Sequence, residues 1–201
     1  MVRSQSGFTL VELLVAMGIM VILLALAAPG FSTYMANDRV RAAAASFYAG
    51  VQTTRTEAIR RNASSTNMVQ IIWTSDPATP AFSSIALVST AGPNWMVRYQ
   101  PPGSATYAYI TGHSAKEAAG SGGNNSVQVT ASTPFLAFTG LGATTTGATA
   151  TFAFTNPSAG ACVANNGPVR CLNVNVSAAG QPELCDPSIT DATDPKHCNV
   201  Q

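Results

Sequence analysis

Sixteen consecutive residues from Leu13 to Ala28, LLVAMGIMVILLALAA, carry no polar side chain, and one carboxylate, Glu12, stands directly in front of them. Counting Phe8 to Val11 and Phe31, the stretch approaches the ~20 apolar residues that span a bilayer. A surface of this kind has to be covered by lipid, covered by protein, or cut away. Glu12 narrows the choice further. No other charge lies between Arg3 and Asp38, and a carboxylate that enters hydrocarbon without a partner is destabilising.

Three arrangements accommodate such a start. A secretory signal would combine Arg3, the apolar run and a small-x-small cleavage site at Ala25-Leu26-Ala27. A plain membrane anchor would retain the run and need nothing else. Neither gives Glu12 a purpose. The third arrangement does, because a buried carboxylate is tolerable when a cation partners it and then fixes register.

The stretch SGFTLVELL, with Gly7, Phe8, Leu10 and Glu12 before an apolar helix, resembles the type III signal of type IV pilins and type II secretion pseudopilins. Farther on, RAAAASFYAGVQTTRTEAIRRN carries Arg55, Glu57, Ala58 and Arg61 in an Arg-x-Glu-Ala-x-x-Arg pattern. This is similar to the helix of the GspH/FimT family of minor pilins and pseudopilins. The resemblance implies a leader over residues 1–7, cut by a prepilin peptidase between Gly7 and Phe8, with methylation of the new Phe8 amine. It also implies that Glu12 pairs with the N-terminal amine of a neighbouring subunit in a filament core.

Residues 8–31 then read as a transmembrane and filament-core helix, interrupted at Pro29-Gly30, where a proline removes a backbone hydrogen bond. Residues 32–62 read as its amphipathic continuation. Val40, Ala44, Phe47, Val51, Thr54 and Ala58 recur at helical spacing as one stripe, with Arg39, Arg41, Gln52, Arg55 and Arg60 elsewhere on the wheel. Arg55 is expected on a solvated face, Glu57 and Arg61 form an i,i+4 pair, and Asn62 is the expected stop.

From Met68 the pattern becomes alternating. MVQIIW, WMVRYQ, TYAYIT, SVQVT, FLAFTG, TATFAFT and CLNVNVS are short runs of β-branched and aromatic residues, separated by Gly, Pro, Asn and Ser clusters. The fold class is therefore α+β, pilin-like: a long N-terminal helix, membrane-embedded in its first half, packed against a β-sheet domain over residues 63–201. FLAFTGLGA and LNVNVSAAG resemble the GspH/FimT domain, which implies two small sheets folded on the helix. Residues 112–126, GHSAKEAAGSGGNNS, are of low complexity and read as a loop.

Cys162, Cys171, Cys185 and Cys198 all lie in the last quarter of the chain, at spacings of eight, thirteen and twelve intervening residues. An even number without C-x-x-C spacing indicates disulfides and an oxidising compartment rather than zinc, despite His197 beside Cys198. Local pairing, 162 with 171 and 185 with 198, is the first choice. Nested pairing is open if Leu172–Ser177 and Pro182–Cys185 form a hairpin that sets Cys171 opposite Cys185.

Only 9% of the residues are charged and the net charge is +1, which argues against nucleic-acid binding by bulk electrostatics. No catalytic motif appears, so no enzyme, cofactor or metal is expected. His113 and His197 read as surface residues, and Asp186, Asp191 and Asp194 do not have the spacing of a calcium loop. Some members of the resembled family capture DNA through a Gly-Arg-x-Arg motif, but Gly180-Gln181-Pro182-Glu183 stands at that place without either arginine.

The resemblance thus implies a structural subunit that primes or caps a type IV pilus. The alternative is a type II secretion pseudopilin H, and DNA capture for transformation is a lesser one. The expected partners are other minor pilins, the major pilin or pseudopilin, the prepilin peptidase and inner-membrane lipid. The expected location is the bacterial inner membrane, single-pass, with the C-terminal domain in the periplasm.

Overall fold

The computed structural model describes residues 9–74, 88–89, 94–114 and 127–198, and the side chains of residues 27–29, 88 and 89 fall outside that description. Gly7, Phe8, the rest of the leader and most of the low-complexity loop therefore lie outside the described residues. Helix α1 runs from Leu10 to Arg60. Its two stretches Leu10–Leu26 and Gly30–Arg60 are inclined at 42°. The break includes Pro29, which has no N–H for the carbonyl one turn back.

Among the described residues nine strands follow: β1 Val69–Trp73, β2 Val88–Ser89, β3 Trp95–Tyr99, β4 Ala108–His113, β5 Gln128–Ala131, β6 Phe135–Phe138, β7 Ala150–Thr155, β8 Leu172–Val176 and β9 Pro182–Cys185. They form two antiparallel sheets, ordered β4-β3-β1-β6 and β2-β5-β7-β8-β9. Seven of the nine coincide with the alternating runs. β9 is the second arm of the conditional hairpin, and β2 lies in a stretch where no run stands out. Two residues give too short a pattern to register.

The stripe on α1 is what joins the sheets. Val40, Ala44, Phe47, Val51, Thr54 and Ala58 are all buried, and Thr54 disposes of its hydroxyl by donating to the Gly50 carbonyl at 2.7 Å. Phe47 stacks on Trp73 of β1, with centroids 4.5 Å apart, and meets Phe152 of β7 at 4.7 Å and Phe154 at 5.9 Å. One side chain thus touches both sheets. Phe152 and Phe154 share a face because β7 alternates buried and half-buried residues. One turn along, a Cβ on Gly50 would lie 2.8 Å from the Trp95 indole, so only glycine lets β3 close on the helix.

β1 departs from simple alternation. All five of its residues are buried, because it is central in its sheet and its second face is also covered. On that second face Gln70, oriented with its amide oxygen inward, accepts from Arg98 Nε and Nη2 at 2.9 and 3.0 Å. The Arg98 guanidinium lies over the Tyr107 ring at 4.0 Å, and burial lowers its proton affinity.

The helix ends through its own backbone. Asn62 adopts φ 48°, Ala63 N–H donates to Ala58 O at 2.8 Å and Asn62 N–H to Ile59 O at 3.1 Å. This is the Schellman arrangement, with asparagine in the left-handed position and buried Ala58 facing buried Ala63. Glu57 receives Arg61 Nε at 2.9 Å and Arg60 Nη2 at 2.7 Å, and Arg61 also lies 3.8 Å over the Tyr99 ring. The expectation for Arg55 is corrected: it is half-buried and its Nε donates to Gly142 O at 3.1 Å. A loop carbonyl 87 positions away draws it partly out of solvent, which helix periodicity does not encode.

Phe47→Ala should lower the unfolding free energy by ~4 kcal/mol, read as a lower guanidinium midpoint of the detergent-solubilised chain by tryptophan emission. An unchanged midpoint would remove Phe47 from its bridging role. The hydrogen bond from Arg60, aided by Arg61 and opposed by burial, holds the Glu57 carboxyl below its ordinary 4.5. Because the folded state binds this proton less tightly, the stabilisation exists above the unfolded value and fades as pH falls through the folded one. Glu57→Gln should therefore cost about 1 kcal/mol near pH 7, and the cost should shrink steadily as pH falls below the ordinary carboxyl value of 4.5.

Candidate functional site

The first half of α1 has no partner among the described residues. From Leu10 to Leu26 every residue is exposed, with Leu10 at 75% and Leu26 at 73%. The exposure runs right round the helix, unlike the single stripe of the second half. A helix apolar on all sides is stable only in lipid or among other helices. No single helix among the described residues is long and apolar enough to cross a membrane, whereas the bent pair Leu10–Leu26 and Gly30–Arg60 together has the length and composition for it.

Glu12 sits in the first turn, within a capping box. Thr9 Oγ1 accepts from Glu12 N–H at 3.3 Å, and Thr9 N–H reaches back to the Glu12 carboxylate at 3.5 Å. The second contact is long for a hydrogen bond, so the carboxylate is held only loosely by its own chain. Its charge favours the positive end of the helix dipole. Both residues are exposed, and Glu12 is therefore accessible to an external cation.

The cysteines occupy the opposite region of the chain. Cys162 pairs with Cys171 and Cys185 with Cys198, the local arrangement. The β8–β9 hairpin does form, but its register sets Asn173 opposite Cys185. Cys171 lies beyond the ladder, so the nested pairing is not made. The first staple closes a turn that is tied to the helix, with Arg170 N–H donating to Asn37 Oδ1 at 2.7 Å.

The second staple closes a loop folded on itself. Asp186 N–H donates to Lys196 O at 2.8 Å, and Asp194 O accepts from His197 N–H at 2.9 Å. The aspartates proposed against calcium are engaged in turns. Asp186 is buried and receives Arg170 Nε at 2.8 Å and the Ser188 N–H. Asp191 accepts from Thr193, whose hydroxyl holds its carboxyl below the ordinary value, and Asp194 accepts from Lys196 N–H. Among the described residues no three His, Cys, Asp or Glu side chains converge as a metal site.

The histidines separate. His113 stacks on Trp95 at 6.0 Å, and His197 Nδ1 lies 2.7 Å from Ile189 O. Gly180, at φ +78°, forms the β8–β9 turn, and a Cβ there would lie 1.9 Å from Gly142 O. That glycine serves close loop packing. Leu141, 91% exposed, stands on the neighbouring loop, which Gly140 N–H ties to Ala63 O at 2.7 Å. The Arg170–Asp186 and Arg55–Gly142 contacts had no sequence signal, since neither pair sits at a helical or strand period.

A long helix that is naked in its first half and clasped by two sheets in its second defines a pilin-like architecture. The prokaryotic N-terminal methylation motif matches residues 2–28. No curated protein matches the chain by sequence. Crystal structures of the type IV minor pilin FimU from Pseudomonas aeruginosa PAO1 are similar in fold. The form in space group P21 has 17% identity and a TM-score of 0.50, over 77% of this chain and 94% of that one. The form in P65 has 16% identity and a TM-score of 0.48, over 76% and 97%. Motif and fold together give the chain a prokaryotic N-terminal methylation motif at the head of a pilin-like fold.

Replacing both cysteines of either staple by serine should cost about 3 kcal/mol, the loop-closure value for loops of this length, read as a lower melting temperature by circular dichroism. Melting that is unchanged by the 185/198 pair of substitutions would mean that the loop is held by its internal hydrogen bonds alone.

Proposed function

We propose that the chain is a minor pilin, a structural rather than catalytic subunit that primes or caps a type IV pilus. The observation that carries this reading is the helix exposed on every face from Leu10 to Leu26 with an accessible carboxylate, Glu12, at its start. Such a surface suits two successive environments, lipid and a bundle of like helices. In the first, a prepilin peptidase removes residues 1–7 between Gly7 and Phe8 and methylates the Phe8 amine. The helix then stays in the inner membrane with the β domain in the periplasm.

In the second environment, Glu12 meets the Phe8 amine of an adjacent subunit. Outside a bundle the carboxylate rests against Thr9 at the long distance noted above, so little is lost when it exchanges that contact for a cation. In the apolar core of a bundle an unpaired carboxylate is strongly disfavoured. The pairing therefore selects one axial register out of many that the featureless apolar surface would accept. Partners on this reading are other minor pilins and the major pilin, and the bend near Pro29 lets the helix change its angle on leaving the bilayer.

The test is complementation of a deletion strain with wild-type or Glu12→Val chain, scoring surface pili and secreted proteins together, with intact mass of the membrane-extracted product. The expected results are a mass lacking residues 1–7 and carrying one methyl group, loss of pili with normal secretion in the deletion, and membrane insertion without rescue for Glu12→Val. A mature chain beginning near Ala28 would restore the secretory signal. Loss of secretion with intact pili would assign the chain to a type II secretion pseudopilus instead.

A further inference from the structure

A groove of about 340 Å³ opens between α1 and the stapled C-terminal loop, lined by Tyr34, Asp38 and Arg41 on the helix side and by Leu172, Leu184 and Lys196 on the other. Its charges are unequal in availability. Arg170 also lines it, but its guanidinium is taken by Asp186 at 2.8 Å, and Asp186 is in turn satisfied by Ser188. The side chains of Arg41 and Lys196 are exposed and have no hydrogen-bond or ion-pair partner among the described residues. With the Arg170–Asp186 pair neutral, two free cations face one acid, Asp38. The groove is left net positive beside two leucines.

Its height on the helix is the second observation. Leu10 to Phe31 measures about 32 Å along an α-helix, against ~30 Å of hydrocarbon in a bilayer. Phe31 and Tyr34, each 66% exposed, then fall at the level where aromatic rings meet headgroups. The groove starts at Tyr34. Arg41 lies about 15 Å beyond Phe31 on the axis, and the 42° inclination of the two helix stretches brings that to about 11 Å above the hydrocarbon. A long arginine side chain spans much of the remainder.

We infer that the groove holds the phosphodiester headgroup of one anionic phospholipid, Arg41 and Lys196 facing the phosphate and the glyceryl part lying on Leu172 and Leu184. The inference rests on the proposed membrane anchoring of α1. The contact ties the stapled loop to the bilayer surface, so that one orientation of the domain is favoured before assembly and the lipid is surrendered when the subunit leaves the membrane. Asp38 opposes the phosphate and keeps the site weak enough to release it.

The full chain, extracted in mild detergent from membranes containing phosphatidylglycerol and phosphatidylethanolamine, is analysed by native mass spectrometry for retained lipid. Wild type should keep one phosphatidylglycerol in preference to phosphatidylethanolamine. Arg41→Ala with Lys196→Ala should lower that retention about thirtyfold, the effect of two juxtamembrane cations. Asp38→Asn should raise retention. Arg39→Ala, equally near the membrane but outside the groove, should leave it unchanged.

Equal retention by wild type and the double variant would overturn the site, as would a matching loss in Arg39→Ala or a loss in Asp38→Asn. Displacement of the lipid by inorganic phosphate alone would make this a free-anion site. Lipid replaced in the groove by a copurifying protein would make it a subunit contact. Carbonate extraction of the same membranes keeps the two readings apart: release of wild type would overturn the anchoring itself, whereas retention with no lipid preference would overturn only the groove.

Discussion

Phe47 holds the molecule together. Its ring stacks on Trp73 of β1 and also meets Phe152 of β7, so it closes the gap between two sheets that, among the described residues, share no hydrogen-bonded ladder. The rest of the buried stripe extends that wedge along the helix, and Gly50 allows Trp95 to lie flat against the backbone. Aromatic contact of this kind is short-ranged and intolerant of gaps. The helix therefore cannot rotate by even one position without exposing Phe47 and burying Arg39 or Arg41.

The two ends of the clasped half are finished differently. At its C-terminal end backbone and charge do the work: the asparagine-led cap, Glu57 between two arginines, and Arg55 on the Gly142 carbonyl. At its other end covalent staples take over, because the last strand and the chain terminus have little apolar surface of their own. The Arg170–Asn37 bond joins the first staple to the helix, and the Arg170–Asp186 pair joins that staple to the second. Exposed apolar helix on one side of this junction and a cationic groove on the other meet within about three turns of α1.

Much of this was legible in the chain. The helix stripe, its end near Asn62, the Glu57–Arg61 pair and seven strands follow from periodicity and turn chemistry, which are local properties. Periodicity places Arg55 on a solvated face, whereas its partner is a backbone carbonyl of a distant loop, and carbonyls leave no trace in a residue pattern. The β8–β9 hairpin on which nested disulfides depend is legible from its flanking turn residues. Its register was not readable, since one residue of slip interchanges Asn173 and neighbouring positions opposite Cys185.

The sequence by itself determined the element types and the unusual N-terminus, because an uninterrupted apolar run with one carboxylate restricts the environments a helix can occupy. It also determined which helix face is buried, through a spacing that depends only on 3.6 residues per turn. Tertiary structure alone decided how the strands divide into two sheets, which cysteines meet, and which of the cations are spent. Each of those outcomes depends on distances between residues far apart in the chain. Such distances are set by how side chains such as Phe47 and Trp95 pack in three dimensions, not by the order in which they occur.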